Sequence, residues 1–538
     1  MQGRILLADN DPSVLEALKN RTEKEGYIVF TAKSPDEAKE LLKKERIHLA
    51  IIDMRLIDHG DMKDISGIEL AKEIDPLIIK IILTGFPSHE TQRMATSDSF
   101  GGIAYDYISK PDDPPSALIE SIKKAFDDKI KINFELKIIL KDDKPSGTFV
   151  YLEDEKAFEF LLDEISIKGI EAEEEKKKIE EELGEVFKKL FYLAEKITIL
   201  PLSSRGYSKT GVVLVEPSQD DEGTFAPRIV KFGPRKDIER ESQNYKNHVK
   251  PFVQLRPTEA EEPAYTKNLG GMIYTLVGSR NPETICDFRE YYSNKEAEDL
   301  RITLKELFEE TCERWYQNRG NKVDMELGEL YKEQIGLTQK KLEKALKDTF
   351  QNYMGKTLIN FPGLEKDFIN PVIWLKDKVF HFSTYRCRTH GDLNGKNILV
   401  DEDGHPWLID FFRTGYGHIL RDFVELEVDI KFNYLETSNI KALYEFEKSL
   451  ISPKKFDEPY YFENKNNISE LEKVFAVIKS LRNLAHDVVK PSNDLLEYYI
   501  GLLYHTINII RYDKAKDVKR HALLSASLIC ERLEKWDQ

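Results

Sequence analysis

Three polar residues in the C-terminal half have the types and spacing of a metal site. Asp392 and Asn397 lie in the stretch THGDLNGKNILV, and Asp410 ends the stretch WLID. Carboxylate and amide oxygens suit Mg²⁺, which takes one or two carboxylates and completes its shell with phosphate and water. The three groups could therefore serve phosphoryl transfer, or they could be the ordinary polar mouth of a hairpin, since Asp and Asn are common in turns.

A hairpin would bring these groups together. NILV (Asn397–Val400) and WLID (Trp407–Asp410) are apolar strand candidates, and the segment DEDGHP between them has turn composition. We predict an antiparallel register with Val400 opposite Trp407, which places Asn397 opposite Asp410 at the open end. Asp392 then lies on the loop that enters this end.

Length and composition exclude several classes of protein. A chain of 538 residues is too long for one hydrophobic core, so about two to four domains are expected. The net charge of −16 argues against nucleic acid as the main partner. Four scattered cysteines without CxxC spacing indicate neither a disulfide framework nor a zinc site. We find neither a signal-peptide pattern nor an apolar run near the ~18 residues of a membrane span, so we expect a cytoplasmic protein without a membrane partner.

Residues 1–126 alternate apolar strand patterns with helical patterns. The strand candidates are ILLA, YIVFTA, LAIID, IIKIILT and YDYIS. This alternation predicts an α/β domain with a doubly wound, five-stranded parallel sheet and helices on both faces. Functional side chains in such sheets collect where strands end at their carboxyl edge. Those ends carry Asp9, Asn10, Asp53, Thr84 and Lys110.

Residues 1–128 resemble the receiver domain of bacterial response regulators. ADNDP matches the acidic motif after the first strand, IIDMR the phosphoacceptor segment, LTG the switch hydroxyl, and YISKP the lysine with its proline. The resemblance implies that a sensor histidine kinase phosphorylates Asp53. It also implies a Mg²⁺ site made by Asp9, Asp53 and the carbonyl of Arg55, with Asn10 beside them.

The same resemblance implies a charge switch around Asp53. Thr84 and Lys110 would hydrogen-bond the phosphoryl oxygens, and Tyr107 would reposition with Thr84. Receivers usually carry a second carboxylate where this chain has Asn10, so we expect weaker metal binding and slower phosphorylation. A receiver-like fold retained only for docking is the alternative. The resemblance also allows a homodimer, since receivers often act through dimers.

Residues 129–196 are predicted to form a connector with one strand and one amphipathic helix. INFELKIIL alternates apolar and polar residues, as a half-buried strand does. The later segment places five apolar residues on one helical face: Ile179, Leu183, Val186, Phe187 and Leu190. This helix could transmit the receiver's change of state, or it could be a solvated spacer with one packed face.

From about residue 197 onward the chain resembles kinase-like phosphotransferases of the aminoglycoside and choline kinase type, on the motifs HGDLNGKNILV and LIDF. The resemblance implies a bilobal kinase-like fold of α+β type, with an N-lobe at 197–280 and a C-lobe at 281–538 that has a helical insertion and a helical C-terminus. By matching position, Asp392 would orient and deprotonate the acceptor hydroxyl. Asn397 and Asp410 would bind Mg²⁺, and His390 would be a structural member of the catalytic loop.

The nucleotide side of this resemblance lies upstream of the catalytic loop. ITILPLSSRGYSKTGVVLVEP looks like two strands joined by a loop over the phosphates of ATP. Lys231 would hold the α- and β-phosphates and Glu241 would fix the lysine, with Glu239 less favoured; an isolated Lys and Glu otherwise make only a surface ion pair. The implied nucleotide contacts are Gly206, Gly211, Lys231, Glu241, Leu276 and Gly278, the last two at the adenine.

The segment after Asp410 bears on the kind of acceptor. FFRTGYGHILRDF lacks the glycine two residues after the acid and the APE-like segment end of protein kinases, which favours a small-molecule type of enzyme. Asp422 in this segment could hydrogen-bond the catalytic loop or the acceptor, or cap a helix. Similar folds host different substrates, so the hydroxyl-bearing acceptor stays unidentified.

Two functions from different classes follow. In the first, phosphorylation of Asp53 regulates an ATP- and Mg²⁺-dependent phosphotransferase. In the second, the C-terminal half is a pseudokinase that binds nucleotide or protein partners and assembles a signalling complex under receiver control. The glycine-poor nucleotide loop motivates the second hypothesis.

Overall fold

A computed structural model describes residues 2–58, 60–61, 63–85, 102–110, 112–143, 149–153, 160–162, 173–201, 210–219, 223–277, 284–490 and 493–536. Contacts between residues divide the chain into two units. The first contains the described residues up to 201 together with those of 210–238 and 262–273. The second contains the described residues of 239–261 and those from 274 onward.

The first unit begins with a parallel sheet whose described strands have the order β2-β1-β3-β4-β5. The strands are β1 (Arg4–Ala8), β2 (Ile28–Ala32), β3 (Leu49–Asp53), β4 (Ile79–Thr84) and β5 (Asp106–Ser109). The accompanying helices are α1 (Pro12–Lys24), α2 (Pro35–Lys44), α3 (Ser66–Glu73) and α4 (Pro115–Ala125). The predicted five-stranded parallel sheet is confirmed.

Alternation along the strands explains why this sheet has a core on each face. Leu6 of β1 and Ile52 of β3 belong to one buried cluster, whereas Ile5 and Ile51 belong to another. Successive side chains of a strand point to opposite faces, and a parallel sheet covered on both faces needs apolar residues at both. β3 is buried along its whole length. The strand that ends in Asp53 is therefore the rigid centre of the sheet.

A second sheet follows in the first unit, with the order β14-β11-β9-β8-β6-β7 and β10 and β13 paired to β9 and β14. Its strands are β6 (Lys137–Asp143), β7 (Phe149–Glu153), β8 (Lys196–Pro201), β9 (Gly211–Gln219), β10 (Gly223–Thr224), β11 (Arg228–Pro234), β13 (Ala264–Tyr265) and residues 269–273 of β14 (Leu269–Leu276). The predicted connector strand INFELKIIL contributes β6 to this sheet.

Helix α5 (Glu173–Leu190) packs on the second sheet through the apolar face that the sequence predicts. Leu183, Val186 and Phe187 are fully buried in the same cluster as the strand residues. A Cβ atom at Gly271 would lie 2.7 Å from Val186 Cγ1, so the close approach of helix and sheet requires glycine there. The amphipathic helix therefore packs on the sheet through its apolar face.

The second unit contains short strand pairs and many helices. Its strands are β12 (Thr258–Ala260), β15 (Cys286–Asp287), β16 (Val323–Glu326), β17 (Leu358–Asn360), β18 (Asp367–Ile369), β19 (His381–Thr384), β20 (Arg386–Thr389), β21 (Ile398–Val400), β22 (Pro406–Leu408) and β23 (Gly415–His418). β12 pairs with residues 274–276 of β14. The other pairings are β15-β21-β22, β16-β19, β17-β18 and β20-β23.

Helix α6 (Arg235–Asn244) begins in the first unit and continues into the second. The helices that follow are α7 (Phe288–Asn294), α8 (Ala297–Glu306), α9 (Glu313–Gln317), α10 (Leu327–Gln334), α11 (Gln339–Phe350), α12 (Pro371–Trp374), α13 (Arg421–Asn433), α14 (Ile440–Leu450), α15 (Ser469–Val489), α16 (Leu496–Asn508) and α17 (Lys516–Glu534). In the described part of the chain, none of the helices combines the length and apolar character that crossing a bilayer requires.

Buried ion pairs fix how the C-terminal helices pack. Arg482 of α15 donates from Nε and Nη2 to both carboxylate oxygens of Glu427 in α13, at 2.8 and 2.7 Å. Lys431 of α13 lies 2.7 Å from Glu447 of α14, and both side chains are fully buried. Breaking such a pair would leave a buried charge without its partner, so the pairs specify which helix faces meet.

Candidate phosphorylation and nucleotide sites

An acidic cluster lies at the carboxyl edge of the parallel sheet. Lys110 Nζ is 2.6 Å from Asp53 Oδ1 and 2.8 Å from Asp9 Oδ2. Both carboxylates are buried. Burial raises the pKa of Asp53, and the ammonium of Lys110 acts in the opposite direction. Burial likewise opposes the charge of Lys110, but Asp53 and Asp9 raise its pKa, so the lysine stays charged and balances the two acids.

The oxygen atoms of this cluster fit a magnesium ion. Asn10 Oδ1 is buried and accepts no hydrogen bond from any residue that the structure describes. Asp53 Oδ2 accepts the backbone N–H of Arg55 at 3.0 Å, which fixes the backbone of Arg55 beside the carboxylate. A buried amide oxygen without a donor, together with the carboxylates of Asp9 and Asp53 that Lys110 joins, is a donor set of the kind that Mg²⁺ prefers.

The predicted switch residues lie on β4, which is next to β3, and on β5, which is next to β4. Thr84 ends β4, is 1% exposed, and its carbonyl accepts the backbone N–H of Lys110 at 2.7 Å. Tyr107 lies in β5 opposite Ile82 of β4 and is partly buried. The structure therefore gathers Asp53, Thr84, Tyr107 and Lys110 on adjacent strands at one edge of the sheet.

Gly67 is a residue of this site that the sequence did not single out. A Cβ atom there would lie 1.9 Å from the carbonyl oxygen of Asp53, and Gly67 donates its N–H to the carbonyl of Met54 at 3.0 Å. The start of α3 thus touches the backbone of the phosphoacceptor segment. The signal in the sequence is only a glycine at the beginning of a helical pattern.

The loop from His390 to Asn397 in the second unit is held by Asp422. Its carboxylate accepts the N–H of His390 at 2.9 Å and that of Gly391 at 3.0 Å. Asp422 is fully buried in the first turn of α13, and Leu420 is the residue at the cap position of that helix. Of the three roles open to Asp422 from the sequence, contact with the loop that carries Asp392 is therefore the one that the structure shows.

Two further acids of α13 continue this row of contacts. Glu425 accepts the N–H of Leu393 at 3.0 Å, and Asp429 accepts the N–H of Gly395 at 2.8 Å. Burial would raise the pKa of Glu425, but the guanidinium of Arg421 holds it below its ordinary value. We call Asp422, Glu425 and Asp429 the acidic ladder. The ladder pairs backbone N–H groups on both sides of Asp392 and so restricts the loop that carries it.

The sequence did not single out Glu425 and Asp429, because the spacing of these acids is ambiguous. Acids three and four residues apart lie on one face of a helix, a pattern that usually indicates a solvated face. The apolar residues around them in RDFVELEVDIKFN are the signal that this face is buried. Here the acids accept hydrogen bonds from backbone N–H groups of a loop and are not solvated as a surface face would be.

The hairpin register predicted from the sequence is wrong by one residue. Val400 pairs with Pro406, Leu399 with Trp407 and Ile398 with Leu408, and Ile409 donates its N–H to the Asn397 carbonyl at 3.0 Å. The reason lies in the turn. Asp401 Oδ1 accepts the N–H groups of Asp403 and His405 at 3.1 and 2.9 Å. The loop between β21 and β22 is therefore one residue shorter than its composition suggested.

Asn397 and Asp410 nevertheless flank the same loop. Asn397 Nδ2 donates to the carbonyl oxygen of Asp392 at 2.8 Å, which leaves its amide oxygen as the atom able to bind a cation. Asp410 has a left-handed backbone with φ of 64°. The next N–H, of Phe411, donates to Glu241 Oε1 at 3.0 Å. An amide oxygen and a carboxylate beside Asp392 fit Mg²⁺.

The pKa of the Asp392 carboxyl group is raised well above its ordinary value. Burial, with the negative charge of Glu425, raises its pKa to about 6, while Arg413 acts in the opposite direction. His390 next to it donates its N–H to the ladder, and its Nε2 lies 2.9 Å from the carbonyl of Ile409. A carboxyl group that titrates near neutral pH can take up and release a proton.

Gly391 is the residue of this loop whose backbone requires glycine. Its φ is 78°, and a Cβ atom would lie 2.4 Å from the carbonyl oxygen of Arg413. The conformation is in the left-handed region, which side chains disfavour. The glycine therefore allows the segment after Asp410 to pack directly against the loop that carries Asp392.

The predicted nucleotide contacts are only partly within the described residues. Lys231 in β11 is 1% exposed and belongs to the first unit, and Gly211 begins β9. Glu241 is fully buried in the second unit, where Tyr274 donates to it. Leu276 pairs with Thr258. Gly206 and Gly278 lie outside the described residues.

In the segment expected to contact adenine, the backbone groups of one residue are hydrogen-bonded within the protein. Val277, which follows Leu276, donates its N–H to the carbonyl of Pro257 at 3.2 Å. Its carbonyl accepts the indole N–H of Trp407 at 3.2 Å. Both backbone groups of Val277 are therefore satisfied within the protein.

Two family models match the chain. Residues 5–123 match the model described as "Response regulator receiver domain". Residues 196–353 and 356–510 match the model described as "Ternary complex associated domain 9", which covers more than half of the chain.

Curated relatives match over the N-terminal region. The alginate biosynthesis transcriptional regulatory protein AlgB of Pseudomonas aeruginosa is 29% identical over 123 residues, and the transcriptional regulatory protein GlrR of Escherichia coli is 33% identical over 126 residues. Each match covers 23% of this chain and 26% of the relative. The chain thus spans about a quarter of the length of these relatives.

Solved structures match over the same region. A CheY-like receiver domain protein from Methanospirillum hungatei is 32% identical, with a TM-score of 0.21, and the match covers 24% of this chain and 98% of that one. The response regulator TrrA from Thermotoga maritima in complex with Mg²⁺ and BeF is 31% identical, with a TM-score of 0.19 and coverage of 23% and 98%.

Proposed function

The chain belongs to the ternary complex associated domain 9 family and carries the receiver domain of a two-component response regulator, and we propose that phosphorylation of Asp53 controls a phosphotransferase centre around Asp392. A receiver domain implies a phosphodonor such as a histidine kinase. The centre would transfer the γ-phosphoryl group of ATP to a hydroxyl-bearing acceptor. In this proposal the receiver ends at residue 128, the connector at residue 196 and the N-lobe at residue 280.

The receiver cluster supports phosphorylation at Asp53. A carboxylate oxygen of Asp53 would attack the phosphorus atom of a phosphohistidine, and the bond from phosphorus to the imidazole nitrogen would break. Lys110, 2.6 Å from Asp53, would offset the added negative charge. Asp9, Asn10, Asp53 and the carbonyl of Arg55 would hold Mg²⁺, which would neutralise phosphoryl oxygens when bound.

The pinned loop around Asp392 is the observation that carries the phosphotransferase proposal. The acidic ladder fixes the backbone on both sides of Asp392, at His390 and Gly391 before it and at Leu393 and Gly395 after it. Phosphoryl transfer depends mainly on positioning and charge stabilisation, so a restricted loop with a carboxyl group is what the reaction needs. Asn397 and Asp410 would hold Mg²⁺, which would neutralise charge on the phosphates when bound.

Asp392 would act on the acceptor. Its carboxylate would orient the hydroxyl and accept the proton as the bond from oxygen to phosphorus forms and ADP leaves. A carboxyl pKa of about 6 suits this role, because the group is ionised at neutral pH yet basic enough to share a proton. His390, with Nε2 at 2.9 Å from the Ile409 carbonyl, would keep the loop in place.

A second candidate function is a binding module within a larger assembly. The family description names a ternary complex, and both backbone groups of Val277 in the expected adenine segment are engaged within the protein. A module of this kind would bind nucleotide or protein without transferring phosphate. Phosphorylation of Asp53 would then control assembly.

Calorimetric titration of Mg²⁺-ATP into the full chain tests the metal and nucleotide site that the phosphotransferase requires. We expect the wild type to bind and Asp410→Asn to bind at least about tenfold more weakly, because the substitution removes one charged ligand of the metal. Asp403→Asn, which changes an exposed acid of the neighbouring turn, should bind as the wild type does. Equal affinity of wild type and Asp410→Asn would contradict the metal site. Absence of binding in all three would contradict the phosphotransferase.

A further inference from the structure

The receiver contacts α5 through an edge that lies away from Asp53. We define this docked edge by Arg4, Arg46 and His48. Arg46 donates from Nη2 to Glu181 at 2.7 Å and from Nη1 to Glu185 at 3.3 Å. His48 Nε2 lies 3.1 Å from Glu185, which is 5% exposed.

The contacts of His48 determine which ring nitrogen carries the proton at the docked edge. The backbone N–H of Arg4 donates to His48 Nδ1 at 2.9 Å, so in the neutral ring the proton is on Nε2, facing Glu185. Glu185 thus faces His48 Nε2 and lies near two cations, with Lys189 Nζ at 2.9 Å and Arg46 Nη1 at 3.3 Å. Because Glu185 is buried, these three groups together compensate its charge.

Helix α5 also contacts the second sheet, through Glu182 and Lys189. Glu182 accepts the backbone N–H of Asn268 at 2.6 Å, its side-chain amide at 3.0 Å and the hydroxyl of Thr266 at 2.7 Å. Lys189 donates to the carbonyl of Tyr265 at 2.9 Å. The helix thus joins the receiver to the loop that precedes β14.

A second contact reaches the start of α6. The guanidinium of Arg235 donates to both carboxylate oxygens of Asp75, at 2.5 and 3.3 Å. The backbone N–H of Arg235 donates to the carbonyl of Asn268 at 2.8 Å, the residue that Glu182 holds. Asp75 belongs to the receiver, in the loop between α3 and β4. Arg235 is the first residue of α6, the helix that carries Glu241.

The docked edge and the phosphorylation site lie at opposite ends of the same strands. β3 runs from the residue after His48 to Asp53, and β4 begins near Asp75 and ends in Thr84. The carbonyl of His48 accepts the N–H of Ile79 at 3.0 Å, which ties the two starts together. At roughly 3.3 Å per residue, each buried strand spans about 15 Å between the two ends.

We infer that the receiver reports the phosphorylation state of Asp53 to α6 through this docked edge, with α5 and the pair Asp75–Arg235 as the connection. The inference rests on the proposed function in two respects, namely that Asp53 is phosphorylated and that α6 serves the nucleotide site. In this mechanism, phosphorylation shifts β3 and β4, and this shift changes the ion pair between Asp75 and Arg235. The position of the first turn of α6, which belongs to the first unit, changes in turn.

Hydrogen exchange of the full chain with and without beryllofluoride, a mimic of the acyl phosphate, tests the inference. We expect beryllofluoride to change the exchange rates of α6 amides by about fivefold or more in the wild type. Asp75→Asn and Arg235→Gln should lose this response while peptides around Asp53 still show that the mimic is bound. Glu73→Gln should respond as the wild type does, because it removes an exposed ion pair with Lys39 in the same region.

A double variant guards against loss of folding. Asp75→Arg combined with Arg235→Asp reverses the pair and should regain the response. An α6 response of wild-type size in both single variants would overturn the inference, as would a wild type in which only the receiver peptides change. This readout needs no nucleotide, so a chain that fails to bind ATP but shows the α6 response would contradict the phosphotransferase and leave the connection standing.

Discussion

Asp53→Asn should abolish the incorporation of phosphate when the chain is treated with Mg²⁺ and acetyl phosphate. The reaction needs a carboxylate oxygen as nucleophile, and an amide cannot form the acyl phosphate with loss of acetate. Asp53 is the acid that Lys110 contacts at 2.6 Å and that ends the central strand. Intact-mass spectrometry should show one added phosphoryl group in the wild type and none in the variant.

The matched control for this experiment is an acid outside the cluster. Asp36→Asn changes an acidic residue in the first turn of α2, and the variant should be phosphorylated at the wild-type rate. Retention of the added phosphate in Asp53→Asn would show that another residue is the acceptor. Because Asn10 replaces a carboxylate that receivers usually have, the wild-type reaction is expected to be slow and to depend on the Mg²⁺ concentration.

Asp392→Asn should slow the turnover of Mg²⁺-ATP by at least about 100-fold, the usual effect of removing a general base. The affinity for Mg²⁺-ATP should change little, because Asn397 and Asp410 are intact. Turnover is measured as formation of ADP, with water or an added hydroxyl compound as acceptor. Glu402→Gln, an exposed acid in the turn of the hairpin, is the control and should retain full activity.

The pH dependence provides a second signature of Asp392. Burial and Glu425 raise its pKa to about 6, so the carboxylate is present above that pH and lost as the pH falls below it. kcat/KM should therefore fall about tenfold per pH unit below 6, since this ratio reports the free enzyme. A flat profile between pH 5 and 7, or a variant within threefold of the wild type, would contradict the role of Asp392.

Much of the first unit could be predicted from periodicity. Apolar runs such as LAIID, bounded by polar ends, give the parallel sheet and the positions of Asp9, Asp53 and Lys110. The face of α5 could be predicted in the same way, because Leu183, Val186 and Phe187 recur at helical spacing. These features depend on local pattern and on the general geometry of doubly wound sheets.

The features that could not be predicted depend on contacts between distant segments. The hairpin register was wrong because Asp401 closes the turn through its side chain, a choice that composition does not determine. The roles of Glu425 and Asp429 depend on the loop that α13 meets. The pair Asp75–Arg235 joins residues that nothing in the sequence relates.

The measurement that tests the central claim most directly is a calorimetric titration of Mg²⁺-ATP into the full chain with and without beryllofluoride at Asp53. The account predicts that the affinity differs by about fivefold or more between the two receiver states, and that the difference disappears in Asp53→Asn. Equal affinity in both states of the wild type would contradict control of the nucleotide site by the receiver.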